Sequence, residues 1–300
     1  MPPAQTNIPL PAGYMIDGYR FERQLSTGGF AIVYLATDPQ GKPVAIKEYL
    51  PQALATRSVG LLPQIKPVHR TAYQSGMMAF YEEGIALARL NHPNVVRVLN
   101  FLRANDTVYL VMRYEEGRTL HEHIRKYPGG LRESFLRGVF MRLLLGLREV
   151  HANKLLHLDI KPSNIYLRSD GSPVLIDFGA ARQTLEQNDP ELRPTYTPGY
   201  AAPEQYGNQT NQGPWTDVYA VGATMYACIA ANAPQPADLR LIDDKLVPAA
   251  ERWADRYSPQ LLETIDQCLR LDPLARPQSA FSLQRLLATP HDSSTPSQED

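Results

Sequence analysis

The hydrophobic pattern of this chain is mainly strand-like before about Glu116 and helical after it, and this change limits the folds open to the chain. Before that point, apolar residues alternate as in strands, in "GYRFERQL", "AIVYLAT", "PVAIKEYL", "NVVRVLNF" and "TVYLVMRY", with turn signals such as "STGG" between them. After it, apolar residues recur at helical spacing, most clearly at Phe135, Val139, Phe140, Leu143, Leu147 and Val150. We therefore predict an α+β, bilobal fold in which a small antiparallel β lobe with one helix precedes a larger, mainly α-helical lobe.

The two lobes are predicted to form one domain with short flanks. Residues 1–18 read as a Pro-rich, extended lead-in, and the domain is predicted over residues 19–288. Within it, the smaller lobe covers about 19–115 and the larger about 116–288. The polar segment 289–300 shows no apolar periodicity and is predicted to be a disordered tail.

Composition excludes several classes of protein. The 300 residues are 43% hydrophobic, enough for a sizeable core, and the formal net charge of −1 argues against a nucleic-acid or membrane-surface binder. No apolar run approaches the roughly 18 residues of a spanning helix. Cys228 and Cys268 lie in apolar helical contexts, which predicts buried free thiols and no disulfide or metal site. These features predict a cytoplasmic protein.

The first turn between strands, in "LSTGGFAIVY", is rich in glycine. Such a hairpin can bring backbone N–H groups close to phosphate oxygens, because no Cβ blocks the approach. Taken alone, the motif favours an ordinary hairpin, since glycine pairs are common in hairpins.

Two charged residues interrupt apolar stretches and are predicted to pair. Lys47, in "VAIKEYL", has apolar neighbours, so its ammonium group needs an anionic partner. Glu83 shares one helical stripe with Leu87 and Leu90, whereas Glu82 points elsewhere. An ion pair between Lys47 and Glu83 accounts for both interruptions.

Polar residues also interrupt "LLHLDIKPSNIYL" and "VLIDFGAAR". Asp159 and Asn164 lie on a turn-rich loop, and Asp177 ends a short apolar strand. Together, two carboxylates and an amide can hold a divalent metal such as Mg²⁺ or take part in acid–base chemistry. Asx turns remain the alternative for any one of the three residues.

The order of these motifs resembles the protein kinase family. The resemblance runs from Tyr19 to about Leu287 and includes the glycine-rich loop, "VAIK", "HLDIKPSN", "DFG", "TPGYAAPE", "DVYAVGATMY" and "LARP". The "KPSN" form resembles the Ser/Thr branch, and the whole resembles bacterial, eukaryotic-type (Hanks-type) serine/threonine kinases. The resemblance implies transfer of the γ-phosphate of ATP to Ser/Thr hydroxyls of proteins, with autophosphorylation.

The resemblance implies roles for the catalytic residues. Asp159 would orient the substrate hydroxyl and accept its proton, and Lys161 would touch the γ-phosphate. Lys47 would hold the α- and β-phosphates and pair with Glu83. Thr197 would brace the catalytic loop and help to position the substrate.

The resemblance also implies ATP and Mg²⁺ as cofactors, with Mn²⁺ able to replace Mg²⁺. Asn164 and Asp177 would ligate the metal, and Met112 occupies the position of the family's gatekeeper, followed by the hinge. The implied nucleotide-binding set is Leu25, Ser26, Thr27, Gly28, Gly29, Phe30, Val33, Ala45, Lys47, Met112, Arg113, Tyr114, Glu115, Asn164 and Asp177. Glu204 and Arg276 would form a structural ion pair in the larger lobe, and a buried Asp217 would support the loop that carries Asp159.

The chain departs from the family pattern in two places. Ser26 and Ala31 replace two of the three loop glycines, and we expect nucleotide binding to persist because both are small. Leu158 replaces the arginine that normally pairs with a phosphorylated activation loop. We therefore expect activity not to depend strongly on loop phosphorylation. The alternative is autophosphorylation at Thr184 or Thr195 without a large activating effect.

The connection between Lys47 and Glu83 is long for a strand-to-helix connection. Residues 51–75 contain few acids and four basic residues, Arg57, Lys66, His69 and Arg70. This insert is predicted to be either a docking or regulatory surface or an ordered loop without a partner.

The leading functional prediction is an active kinase acting on Ser/Thr-bearing protein substrates, with no nucleic-acid partner. The first rival is a pseudokinase or nucleotide-binding scaffold, and it is disfavoured because Lys47, Asp159, Asn164 and Asp177 are all present. A small-molecule kinase is disfavoured because "TPGYAAPE" resembles a peptide-positioning segment. A dimer through the smaller lobe, as occurs among bacterial relatives, is left open.

Overall fold

The computed structural model describes residues 7–178, 196–206 and 211–288 of the chain. Thr184 and Thr195, the predicted phosphorylation sites, lie outside the described residues, as does the predicted disordered tail. The chain divides into two compact units, which we take in turn.

The first unit contains residues 1–117 and 176–195 and is built on antiparallel strands. Its strands and helix are β1 (Met15–Ile16), β2 (Tyr19–Thr27), β3 (Ala31–Thr37), β4 (Pro43–Tyr49), β5 (Ala55–Thr56), β6 (Gln64–Ile65), α1 (Arg70–Ala88), β7 (Val98–Ala104) and β8 (Thr107–Arg113). Six strands form one sheet in the order β1-β2-β3-β4-β8-β7, while β5 and β6 form a separate hairpin. Helix α1 packs on β7 and β8.

The alternating sequence of β3 decides which sheet face is buried. Ile32, Tyr34 and Ala36 are fully or almost fully buried, whereas Val33 and Leu35, between them, are half-buried. Since successive side chains of a strand point to opposite faces, the sheet has one closed face and one partly open face.

The sheet has one strand more than the five that the sequence predicted. The additional strand, β1, pairs with the start of β2 around a tight turn at Asp17 and Gly18, both of which have positive φ. An Asp-Gly dipeptide favours such a turn, but a two-residue strand is too short to show alternation. Within the predicted lead-in, Asn7 and Leu10 are also buried, so the packed part of the first unit begins before Tyr19.

The second unit contains residues 118–175 and 196–300 and is mainly helical. Its elements are β9 (Gly117–Thr119), α2 (Leu120–Lys126), α3 (Glu133–Ala152), β10 (Ile165–Arg168), β11 (Pro173–Leu175), α4 (Pro214–Ala230), α5 (Ala237–Ile242), α6 (Ala249–Arg252), α7 (Pro259–Cys268) and α8 (Ala280–Ala288). The three short strands form a sheet in the order β11-β10-β9. Helix α3 packs against α8, and α4 packs against α7.

The core of the second unit follows the helical stripe found in the sequence. In α3, Val139, Leu143, Leu147 and Val150 are buried, while Phe135 is half-buried at the margin. Helix α4 is buried along most of its length, because other elements cover it on several sides.

The prediction of buried free thiols at the two cysteines is confirmed. Cys228 and Cys268 are buried free thiols, and burial raises the pKa of both thiols. Gly222 of α4 lies against Cys268, where a Cβ would have no room. Over the described residues, no helix is both long and apolar enough to cross a membrane.

Candidate active site

Lys47 is the central charged residue of the first unit. It lies on β4 and is 8% exposed, and its Nζ lies 2.5 Å from Oδ1 of Asp177. The same ammonium nitrogen lies 5.5 Å from the ring centroid of Phe80 on α1. The structure therefore gives the buried lysine an anionic partner, and this partner is Asp177.

Glu83 was the predicted partner of Lys47. Glu83 is half-buried on α1 and Glu82 beside it is exposed, which is the difference in exposure that the apolar stripe predicts. The pairing of Glu83 with Lys47 stays a prediction.

Asp177 follows the end of β11 in an uncommon backbone conformation. Its φ is 66°, in the left-handed region, and its side chain is 48% exposed. A non-glycine residue there costs about 1–2 kcal/mol, and such strain is concentrated at functional sites. Phe178, next in the chain, is buried.

Four predicted nucleotide-binding residues share the partly open face of the first unit's sheet. Val33 is the cross-strand partner of Lys47, and Ala45 is the partner of Met112. Ala45 and Lys47 are two positions apart and so point to the same face. Val33, Ala45 and Met112 are half-buried, so they offer apolar surface beside the lysine.

In the second unit, the carboxylate of Asp159 accepts from three side chains. Thr197 Oγ1 donates to Oδ1 at 3.0 Å, and Asn164 Nδ2 donates to Oδ2 at 3.0 Å. The ammonium group of Lys161 lies 2.9 Å from the same Oδ2. Both carboxylate oxygens of Asp159 are thus held in place by charged or polar donors.

Two of these partners are themselves fixed. Asn164 also donates to the backbone oxygen of Asp159 at 2.9 Å, so the bond joins the two ends of the segment 159–164. Thr197 Oγ1 accepts from Lys161 Nζ at 2.8 Å while donating to Asp159. Thr197, Lys161 and Asp159 therefore each contact the other two, and these contacts join the "TPGYAAPE" segment to the loop that carries Asp159.

Asp217 of α4 holds the backbone of the loop that carries Asp159. Its side chain is completely buried and accepts from the backbone N–H groups of His157, at 2.9 Å, and Leu158, at 2.8 Å. His151 Nε2 lies 2.8 Å from the same carboxylate. Burial by itself raises the pKa of Asp217, but the hydrogen bond and charge of His151 and the contact with His157 bring that pKa below its ordinary value.

Leu158 takes a left-handed backbone conformation between His157 and Asp159, with φ 61°. Its N–H is held by Asp217, and its carbonyl oxygen accepts from Gln205 Nε2 at 3.0 Å. Gln205 is 1% exposed, and its Oε1 accepts from the N–H of Ala202. Sequence reasoning missed Gln205, because one polar residue after "APE" gives no sign of its distant partner.

The ion pair expected between Glu204 and Arg276 is present. Arg276 Nη1 and Nη2 lie 2.8 and 3.1 Å from the two carboxylate oxygens of Glu204. Thr216 also donates to Glu204, at 2.9 Å. This bidentate pair joins Glu204, the residue just before Gln205, to Arg276, which lies between α7 and α8.

The donor atoms of Asn164 and Asp177 suit a hard divalent cation. Asp177 supplies carboxylate oxygens, and Asn164 supplies an amide oxygen, which accepts a long hydrogen bond of 3.4 Å from Ser163 Oγ. The two residues belong to different units, so the chemistry of the donors, and no distance between them, supports the metal prediction.

One unit has a sheet with a buried lysine and a glycine-rich turn, and the other is helical and holds an oriented aspartate; these are the features of the kinase-like fold. The family model for the protein kinase domain matches residues 19–290 of the chain. The chain belongs to the protein kinase family, which confirms the resemblance found in the sequence.

Two curated relatives of the chain are named as serine/threonine-protein kinases. The chain is 30% identical over 269 residues to serine/threonine-protein kinase PknA of Nostoc sp., covering 86% of this chain and 44% of that protein. It is 30% identical over 292 residues to serine/threonine-protein kinase C of Synechocystis sp., covering 92% and 50%. The chain thus spans about half the length of these curated relatives.

The solved structure of PpkA-294 in its apo form also resembles the chain. The TM-score is 0.86 at 36% identity, with 93% of this chain and 99% of that chain covered. The predicted fold class, a β lobe with one helix followed by a helical lobe, is confirmed.

Proposed function

We propose that this chain is an active serine/threonine protein kinase that transfers the γ-phosphate of ATP to Ser/Thr hydroxyls of proteins. The observation that carries the proposal is the carboxylate of Asp159, both of whose oxygens are oriented by the side chains of Thr197, Asn164 and Lys161. The curated relatives named above are serine/threonine kinases, which supports the same reaction for this chain.

Asp159 acts as the proton acceptor in this proposal. The substrate hydroxyl oxygen forms a bond to the γ-phosphorus, the bond from that phosphorus to the β–γ bridging oxygen breaks, and ADP leaves. The hydroxyl proton passes to a carboxylate oxygen of Asp159, whose orientation is set by Thr197 and Asn164. Lys161 balances negative charge beside it.

The first unit holds the nucleotide. Val33, Ala45 and Met112 provide apolar surface for the adenine ring, and Lys47 binds the α- and β-phosphates. Asn164 and Asp177 would hold Mg²⁺, which would supply positive charge beside the phosphates. Asp177 provides the buried Lys47 side chain with an anionic partner before nucleotide binds.

The insert, residues 51–75, is proposed to hold a docking surface only in its exposed part. Arg57 is fully buried against Glu48, so it is not available to a partner. Lys66 and Arg70 are exposed and keep the basic character of the predicted surface.

We propose a cytoplasmic location from the two free cysteines, since free thiols are typical of reducing compartments.

The test of the proposed function is transfer of labelled phosphate from Mg-ATP to the protein itself and to a generic basic protein. Wild-type protein should incorporate label. Asp159→Asn should transfer phosphate about 10²–10⁴-fold more slowly, since this is the usual contribution of a positioned base. Exposed Asp255→Asn is the matched control and should keep the wild-type rate. Nucleotide binding without incorporation in the wild type would favour the pseudokinase or scaffold.

A further inference from the structure

The chain that follows β4 holds the backbone of the glycine-rich turn. Three successive carbonyl oxygens of the turn accept hydrogen bonds from it. Gln52 Nε2 donates to Gly28 O at 3.2 Å, and the Gln52 N–H donates to Gly29 O at 2.8 Å. The Leu50 N–H donates to Phe30 O at 3.1 Å. The turn is thus fixed by a segment outside its own hairpin.

These bonds determine where the N–H groups of the turn point. In a planar trans peptide the C=O and the N–H of the next residue point in opposite directions. Since the Gly28 and Gly29 carbonyls face residues 50–52, the N–H groups of Gly29 and Phe30 face away from that segment. Within the described part of the chain, neither N–H donates a backbone hydrogen bond.

The segment is itself firmly anchored. Leu50 is completely buried, and the Pro51 oxygen accepts from the N–H groups of Leu54 and Ala55. Just beyond, Arg57 forms a fully buried bidentate pair with Glu48, at 2.5 and 2.7 Å. Leu50 and Pro51 therefore belong to the core of the unit, and the half-buried Gln52 follows them directly.

An aromatic contact adds to the same connection. The ring of Phe30 meets the ring of Tyr49 edge to face, with centroids 5.3 Å apart. Tyr49 also contacts Phe80, and the Lys47 ammonium lies over that ring. The turn and the phosphate-binding lysine thus share one packed cluster.

We infer that residues 50–52 are a positioning element for the glycine-rich turn, with Gln52 as its principal side chain. They hold the Gly29 and Phe30 N–H groups directed at the phosphates of the nucleotide. This ordering accounts for a turn that works with Ser26 and Ala31 at positions where glycine is usual. The inference rests on the proposed function, since it concerns the nucleotide of that reaction.

The experiment compares the affinities of the full chain for ADP and for adenosine by calorimetry. Gln52→Ala removes one donor and should weaken ADP binding about threefold to tenfold, the range expected for one hydrogen bond. Adenosine has no phosphate, so its affinity should be unchanged. Gln64→Ala, an exposed glutamine of the same insert, is the matched control and should bind both as the wild type does.

Gln52→Pro also removes the N–H donor to Gly29 and should weaken ADP binding further, again sparing adenosine. ADP affinities within twofold of wild type in both variants would overturn the inference. So would equal losses for ADP and adenosine, since the effect would then not concern phosphate. Phosphate transfer by the wild type is measured separately: its failure would reject the proposed function, while the ADP–adenosine comparison still decides the role of Gln52.

Discussion

The buried side chain of Asp217 holds in place the loop that carries Asp159. Its carboxylate has no exposure to solvent and binds two consecutive backbone N–H groups, those of His157 and Leu158. These bonds keep Leu158 in its left-handed conformation, directly before Asp159. The energy of the strained residue is thus offset by a buried charge on another element.

Asp217→Asn should destabilise the second unit and slow phosphate transfer. The amide has one acceptor oxygen for the two N–H groups, so one of them would face its NH₂ group. We expect a loss of about 3 kcal/mol in the free energy of unfolding, as for a broken buried charge network. Thermal unfolding checks this, with Asp255→Asn as the exposed control. A melting temperature equal to that of wild type would contradict the anchoring role.

The difference in stability between wild type and Asp217→Asn should depend on pH. Because the pKa of Asp217 is lower in the folded state than its ordinary 3.8, the folded state favours the ionised form. Its contribution is therefore fully present above pH of about 5 and is lost as the pH falls through the folded pKa. Urea unfolding between about pH 3 and 7 should show the two proteins converging at the acid end; a constant difference would refute this.

At the scale of elements, the contact between α1 and β7 depends on one small residue. Gly84 of α1 faces Phe101 and Leu110, and a Cβ at this position would overlap the Phe101 ring. The glycine is therefore needed for close approach and lets the helix lie directly on the sheet. Glu83 is its neighbour, so the placement of the predicted lysine partner depends on the same approach.

Gly84→Ala should destabilise the first unit by about 1–3 kcal/mol, as overpacking usually does, even though alanine favours helix. Gly138→Ala on α3 is the matched control: its added Cβ meets nothing within 4 Å, so it should be neutral or stabilising by up to about 1 kcal/mol. Chemical denaturation of both variants measures the difference. Equal effects at the two positions would show that α1 can move away without penalty.

Sequence reasoning worked best where the signal was local. The strands from β2 onward, α3 and the order of the motifs all follow from patterns a few residues long. It missed β1 because two residues cannot show alternation, and it counted Arg57 among the basic residues of an insert that was either a docking surface or an ordered loop. Arg57 is buried because Glu48, Tyr34 and Asn7 converge on it in three dimensions.

At the scale of the whole molecule, the two units divide the proposed reaction between them. The first holds Lys47 and Asp177, and the second holds Asp159 with its donors. Asp217 and Gln205 hold the backbone of Leu158, and Asn164 and Thr197 hold the carboxylate of Asp159. We expect these contacts to order the loop without a phosphorylated segment.

We therefore expect phosphatase-treated protein to keep activity within about threefold of the autophosphorylated form, since Leu158 cannot pair with a phosphate. Leu158→Arg restores a partner for phosphate and should make activity depend more strongly on phosphorylation. Rates with a generic basic substrate, before and after phosphatase, measure both. Dephosphorylated wild type that is nearly inactive, beside active protein phosphorylated at Thr195, would refute the expectation.

The sequence by itself determined the family, the order of the two lobes and the identities of Lys47, Asp159, Asn164 and Asp177. These are properties of short motifs and local periodicity, which can be read without knowing what packs against what. The tertiary structure alone decided that Asp177 contacts Lys47, that Gln205 holds the Leu158 carbonyl, and that Gln52 holds the glycine-rich turn. Each of these contacts joins residues far apart in the chain, and packing brings them together without leaving a pattern in the sequence.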